Sequence, residues 1–422
     1  MKRGFYTIMA AQFFSSLADN ALLIAAIALL IELAAPEWMK PLLKLFFTVS
    51  YVVLAPFVGA FADAMPKGRV MFITNTIKVL GCGLLFFAVH PLLAYAVVGF
   101  GAAAYSPAKY GILTELLPPE KLVAANGWIE GTTVGSIILG TMVGGALISP
   151  TVSGFLLGLD FPGLDFHIDS PAESAILVIA VFYIIAALFN LRIPDTGARY
   201  EKQHTNPFKL LADFWHCNTT LWRDKLGQIS LAVTTLFWGA GATLQFIVLQ
   251  WAKEQLQMPL DKAAILQGIV ALGIAAGAVL AARFVPLKQT PSVLKLGVAM
   301  GLVVPAMTLV TSMGASIPLL VLIGGLAGYF VVPMNALLQH RGHVLLSAGH
   351  SIAVQNFNEN LNILVMLGLY ALLIKLDLHV NAIIVIFGLF VAGTMALVIK
   401  RYRYNKQHYD LESLIGVEKH SH

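Results

Sequence analysis

Apolar runs of about 20 residues, the length that crosses a bilayer as a helix, recur from one end of the chain to the other. Short polar or basic segments separate them. On that pattern the spans fall at 5–34, 41–63, 70–89, 92–116, 122–149, 173–193, 226–251, 263–284, 292–312, 316–339, 347–375 and 379–400. The pattern predicts an all-α integral membrane protein of about twelve transmembrane helices. The opening MKRGFYTIMAAQFFSS has some features of a signal peptide, but its apolar run continues to Ala34 without a small-residue cleavage pattern, so it reads as a retained first helix.

Composition strengthens this reading. The 422 residues are 58% hydrophobic and only 12% charged, with a mean hydropathy of +0.80. A soluble domain carries about twice that charge. The net charge of +5 would suggest a nucleic-acid partner in a soluble protein, but the basic residues lie between the spans and at the ends, so no such partner is expected. Lys2, Arg3, Lys67, Arg69, Lys121, Arg192, Lys202, Lys209, Arg223, Arg283, Arg341, Lys400 and Lys419 fall on one side. Lys40, Lys44, Lys253, Lys262 and Lys375 fall on the other. That bias puts both termini in the cytoplasm. Asp160, Asp165, Asp169 and Glu173, in a loop without Lys or Arg, are then outside. Cys82 and Cys217 form no disulfide or metal framework, and no metal site, cofactor or catalytic centre is expected.

The basic loop from Arg192 to Lys225 separates six spans from six. The expected organisation is an N-terminal bundle at 1–193, a cytoplasmic linker at 194–225 with an amphipathic middle, a C-terminal bundle at 226–400 and a basic cytoplasmic tail at 401–422. Pro107-Ala108-Lys109-Tyr110 is echoed by Pro333-Met334-Asn335-Ala336, and Ala125-Asn126-Gly127-Trp128-Ile129-Glu130 by Gln355-Asn356-Phe357-Asn358-Glu359. Parallel six-helix repeats of this kind resemble the major facilitator pattern. Gly59 and Asp63, followed by Lys67-Gly68-Arg69, resemble the facilitator's GxxxD and basic turn. Chemically, the glycine admits a close helix and the carboxylate caps a helix or pairs with a cation, so these five residues are gating candidates. The alternative is an ordinary basic loop with a helix-ending acid. Gly131, Gly135, Gly140, Gly144 and Gly145 suit either close packing or gating.

Ionisable groups at hydrocarbon depth are expensive, and therefore mark candidate sites. Asp19 and Asn20 lie on the order of 20 Å into the first helix. Lys78, three residues after Asn75, reads first as a structural ion-pair partner. Lys109, Tyr110, Asn126 and Glu130 follow in the fourth and fifth spans. The second half offers Trp238, Gln245, Asn335, Gln355, Asn356 and Glu359, and its amides are too many to face lipid unsatisfied. A cavity with a polar end and apolar walls follows, suited to an amphipathic substrate.

Taken together, LADNALL, APFVGAFAD, KGRVM, GAAAYSPAKYGIL, ANGWIEG, LFWGAG, YFVVPMNALLQ and IAVQNFNEN resemble the lysophospholipid transporter family over nearly the whole chain. The resemblance implies a flippase that moves lysophospholipid, chiefly lysophosphatidylethanolamine, from the outer to the inner leaflet of the bacterial inner membrane by alternating access. It also implies a monomer and a functional link to a cytoplasmic-side acyltransferase/acyl-carrier-protein synthetase that restores the second chain. On that analogy Asp19, Lys109 and Glu130 occupy charged positions of the translocation path, whereas Gln245 stands where an arginine is expected. The alternative is a facilitator of a small soluble amphiphile or drug. An enzyme is disfavoured, since neither HxxxxD nor GxxxxGK[ST] occurs.

Overall fold

The computed structural model describes residues 3–35, 39–87, 89–158, 168–201, 206–258 and 260–415. Lys2, Asp160, Asp165, Lys202 and Lys419, used above for topology, lie outside them. Among the described residues every regular element is helical. Eleven helices are long and apolar enough to cross a membrane, and a bent pair makes twelve if counted as one broken span. The chain divides into two compact units, Met1–Ile112 with Gly135–Leu211 and Leu113–Val134 with Ala212–His422.

The first unit begins with α1 (Arg3–Glu32), α2 (Met39–Val53), α3 (Ala55–Asp63) and α4 (Lys67–Phe86). It continues with most of α5 (Pro91–Leu116), the second half of α6 (Leu122–Ile148), α7 (Pro150–Leu157) and α8 (Pro171–Leu191). The expected span 41–63 is in fact two helices that meet at 65°. Pro56, in the first turn of α3, cannot donate to the preceding turn, so the ladder ends near Leu54. The span expected to open at 173 opens at Pro171, because Ser170 and Glu173 form a reciprocal capping box.

Packing in this unit relies on small residues, since lipid offers helices no hydrophobic incentive to associate. Ala18, Ala21, Ala25, Tyr95, Ile176 and Tyr183 belong to one buried cluster. The glycine series of α6 separates into two roles. A Cβ on Gly144 would come within 2.8 Å of the Ala21 carbonyl oxygen, and one on Gly140 within 2.5 Å of that of Leu17, so these two seat α6 against α1. Gly131, Gly135 and Gly145 meet nothing within 4 Å.

The second unit takes in the end of α5 and the first half of α6. To these it adds most of α9 (Pro207–Arg223), then α10 (Gly227–Glu254), α11 (Leu260–Phe284) and α12 (Leu294–Val303). It ends with α13 (Met313–Leu345), α14 (Ala348–Lys375) and α15 (Val380–His408). The span expected at 292–312 runs instead from Leu287 to Leu309 and is α-helical only in its middle, with 3-10 turns on both sides and Pro291 and Pro305 within them. The amphipathic middle of the linker is α9. Its buried Phe214 meets the Phe357 ring edge-on at 5.2 Å, and Asn218 accepts a 2.9 Å bond from Asn358. The basic tail starts as a continuation of α15, and Leu411 and Ile415 beyond it are buried.

Candidate functional site

Four helices of the first unit build a charged centre. On α1, Ser15 and Asp19 stand one turn apart, and on α4, Asn75 and Lys78 are three apart, so each pair shares a helix face. Lys78 Nζ lies 2.9 Å from both carboxylate oxygens of Asp19 and 3.0 Å from Ser15 Oγ. Ser15 Oγ donates to Asn75 Oδ1 at 2.8 Å, and the Tyr183 hydroxyl of α8 donates to Asp19 Oδ1 at 2.7 Å. The ammonium also stands 5.1 Å from the Tyr105 ring of α5 and 5.3 Å from that of Tyr183. The two ions differ in access: side-chain exposure is 1% for Lys78 and 22% for Asp19.

Such geometry offsets the cost of a buried pair, because each ion has a partner and further hydrogen bonds. Asp19, whose side chain remains partly accessible, is the member better placed to meet a ligand. Asn75 Nδ2 and the Tyr105 hydroxyl are buried without a hydrogen-bond partner among the described residues. Orphaned polar atoms beside an accessible carboxylate are the kind that a ligand or ordered water satisfies. Asn20 is partly occupied already, its amide donating back to the Ser16 carbonyl at 2.8 Å. Lys109 Nζ sits 4.2 Å above the ring of its neighbour Tyr110, and both residues are half-buried.

Between α3 and α4 two of the gating candidates, Asp63 and Lys67, pair. Lys67 Nζ is 2.6 Å from Asp63 Oδ1 and 2.7 Å from the Ala62 carbonyl oxygen, and it stands 4.8 Å from the Tyr200 ring. The carboxylate thus pairs with a cation, as the sequence allowed. Gly68 is the close-approach glycine, since a Cβ there would lie 3.0 Å from the Asn190 carbonyl oxygen of α8. Gly59 is buried and Arg69 is exposed. Arg199 pairs at 2.8 Å with Asp195 in the following loop. That contact, with the Gly197 N–H, lowers the Asp195 carboxyl to about 2.

The second unit has a polar centre of different balance. Asn126 on α6 and Gln339 on α13 exchange two 2.9 Å hydrogen bonds, amide to amide, with both side chains buried. Glu130, one turn after Asn126, is also buried. One turn before Gln339, Asn335 accepts a 3.1 Å bond from Gln355 Nε2, which also donates to Glu359 Oε1 at 2.8 Å. The Thr234 hydroxyl of α10 shares a hydrogen bond with Glu359. Glu359 has no cationic partner among the described residues, in contrast to Asp19. Gln355 Oε1 is buried and has no hydrogen-bond partner among them.

The other candidates in this unit differ in burial. Asn356 is buried and Trp238 half-buried, whereas Gln245 is exposed on α10 and only its main-chain oxygen takes a bond, from Gln267. Of the remaining amides of α14, Asn360 donates back to the Asn356 carbonyl, and two hold helices together. Asn358 binds Asn218 and the Trp222 indole, and Asn362 donates to the Thr235 carbonyl.

The sequence reading passed over Tyr105, Tyr183 and Gln339, and also the pair Arg341–Asp224. Gln339 had a signal, the i,i+4 spacing from Asn335. Tyr183, inside the apolar run VFYIIAAL, had none. Arg341 meets Asp224 through two parallel bonds of 3.1 and 2.8 Å, while its third nitrogen donates to the Leu414 carbonyl at 3.0 Å. Asp224 also receives the Leu226 and Gly227 N–H groups at the start of α10. Burial alone would raise its carboxyl, but these bonds and the guanidinium charge more than compensate and hold it below the usual range.

The Major Facilitator Superfamily profile matches residues 8–360. The chain is 43% identical over 384 residues to the lysophospholipid transporter LplT of Yersinia enterocolitica serotype O:8, covering 90% of each chain. It is likewise 43% identical over 385 residues to that of Yersinia pestis strain Pestoides F, covering 91% of this chain and 90% of the other. Among solved structures, the transporter FucP in the outward conformation superposes with a TM-score of 0.72 at 13% identity, over 95% of this chain and 98% of that one. A bacterial homologue of the iron transporter ferroportin in an outward-facing state gives 0.69 at 15%, over 96% and 100%. At such identities these two likenesses speak to the fold alone. The chain belongs to the Major Facilitator Superfamily and, within it, to the lysophospholipid transporter family.

Proposed function

We propose that this protein carries lysophospholipid, chiefly lysophosphatidylethanolamine, from the outer to the inner leaflet of a bacterial inner membrane by alternating access, for re-acylation by a cytoplasmic-side acyltransferase. The observation that carries the reading is 43% identity, along 90% of both chains, to transporters named for lysophospholipid. As a member of a transporter superfamily the chain is a carrier and not an enzyme. Each unit has its own polar centre, and each centre offers a carboxylate for the amine of a zwitterionic head group. Asp19 and Glu359 supply carboxylates for the ethanolamine ammonium, and Lys109 supplies a cation for the phosphate. Asn20, Tyr110, Asn126, Glu130, Trp238, Asn335, Gln355 and Asn356 are the neighbouring groups proposed to shape the path, whereas exposed Gln245 supplies no phosphate-binding charge. Both termini and the basic loops face the cytoplasm in this scheme, and the carrier acts as a monomer.

Glu359 makes the sharpest test, because it is 6% exposed and, among the described residues, has amide and hydroxyl partners only. A glutamine there keeps the shape and removes the charge. Labelled lysolipid uptake would be measured in spheroplasts of a transporter-deleted strain complemented with each protein. Glu359→Gln is expected to lower uptake of lysophosphatidylethanolamine about tenfold, the equivalent of one charge-assisted bond, and to leave lysophosphatidylglycerol, which has no amine, near the wild-type rate. Equal loss of both lipids would overturn the amine assignment. No uptake of either lipid by the wild-type chain, with uptake of a soluble amphiphile, would overturn the lysolipid reading itself.

A further inference from the structure

We propose that the basic end of α15 carries a binding site for an anionic phospholipid of the surrounding bilayer, separate from the two polar centres and independent of which solute the carrier moves. A groove of about 460 Å³ lies between α12 and α15. Its walls change character along its length. Val298, Ala396 and Ile399 form an apolar portion, and Lys400, Arg403 and Tyr404 follow. On α15 these positions are spaced three and four apart, so they make one continuous stripe. A lipid has the same order of chemistry, hydrocarbon and then a phosphate.

Depth along the helix agrees with that order. Lys400 is twenty residues beyond Val380, where α15 begins, or about 30 Å of helix rise, which equals the hydrocarbon thickness. The stripe's apolar part therefore lies at acyl-chain depth and its cations at head-group depth. Their neighbours define the charge that is available. Arg401, on the adjacent face, donates to Gln228 Oε1 at 2.9 Å, and Lys406 is 3.6 Å from Glu412. Lys400 and Arg403 have no hydrogen-bond or ion-pair partner among the described residues, and both are exposed. Two unneutralised cations at the mouth of an apolar groove favour an anion that brings its own hydrocarbon. A guanidinium is also suited to grip phosphate with two parallel bonds.

The test uses the delipidated full chain in detergent, with native mass spectrometry counting bound lipid as phosphatidylglycerol, phosphatidylcholine or inorganic phosphate is added. The wild type is expected to retain one phosphatidylglycerol more tightly than phosphatidylcholine. Lys400→Gln with Arg403→Gln should weaken that lipid by about fivefold per cation removed, whereas Lys375→Gln at the other face leaves it unchanged. Ala396→Trp, which fills the apolar wall and spares both cations, should weaken it as well. Lys400→Arg with Arg403→Lys should restore binding, which separates charge from folding. Unchanged phosphatidylglycerol affinity in the double glutamine variant or in Ala396→Trp would overturn the site. Displacement of the lipid by millimolar inorganic phosphate would mark a bare anion site and overturn the lipid assignment.

Discussion

The Lys78–Asp19 pair makes an asymmetric prediction, because its two ions are unequally buried. Removing the carboxylate with Asp19→Asn leaves an ammonium that is 1% exposed with neutral acceptors only, Ser15 Oγ and the oxygen of the new amide. Stranding one member of a buried pair costs about 3–5 kcal/mol. Removing the cation with Lys78→Met leaves a carboxylate that is 22% exposed and still holds the Tyr183 hydroxyl at 2.7 Å. That loss should be about 1–3 kcal/mol, the scale of an incompletely satisfied polar group. Asp19→Asn is therefore the more damaging change. The double variant, with no ion to strand, should be more stable than the sum of the singles implies, by an interaction energy of about 2 kcal/mol.

Unfolding in mixed detergent–dodecyl sulfate micelles would give the four stabilities of the cycle. Lysolipid uptake by the same proteins would separate structure from transport, since the double variant strands no buried ion and has no carboxylate at this position. It should be inactive if Asp19 meets the head group. A larger loss for Lys78→Met, or losses that add within about 0.5 kcal/mol, would refute the argument that unequal burial sets the energetics of the pair.

Three further outcomes follow from the geometry. Asp63→Ala, which removes the carboxylate that pairs with buried Lys67, should change the labelling ratio of engineered cysteines on the two membrane faces by about fivefold, an effect of about 1 kcal/mol; an unchanged ratio would exclude a gating role. Gly277→Leu should lower the unfolding temperature sharply, because even a Cβ at Gly277 would overlap the Gly325 carbonyl of α13, and a wild-type melt would show that these helices do not meet there. The depressed carboxyl of Asp224 has the opposite sign from a raised group: its stabilising contribution is complete above its unfolded value of about 3.9 and is lost as pH falls through the lower folded value. Asp224→Asn should thus flatten the acid limb of a stability–pH profile, and an unchanged acid limb would count against the Arg341 contact as its cause.

Most spans were legible because a 20-residue apolar run has few alternatives in a chain of this composition. The errors fell where hydropathy says nothing about backbone donors. Pro56 splits the second span and Pro305 sits in a 3-10 turn that closes the span expected at 292–312, though each lies in a run that is apolar, while Pro291 sits in the polar 3-10 turn that opens the latter. Ser170 starts α8 earlier than the apolar count did, since a capping hydroxyl and Glu173 satisfy free N–H groups whatever the hydropathy.

The site was legible by residue type but only partly by partnership. Charges at depth announced Asp19, Lys78, Glu130 and Glu359 individually, because each is costly where it stands. What cancels that cost depends on which helix faces meet, and a pairing such as Lys78 with Asp19 spans 59 residues. The asymmetry between the two centres was hidden for the same reason. In the first unit a lysine answers the carboxylate, and in the second Gln355 and Thr234 answer it with neutral donors. A carboxylate already facing a lysine gains little from a second cation, whereas ionising one buried among neutral donors is costly until a cation arrives. On the proposed function Glu359 therefore has more to gain from an arriving ammonium than Asp19, whose bonds already hold α1 to α4 and α8, so a transport loss on replacing Asp19 would not by itself prove substrate contact.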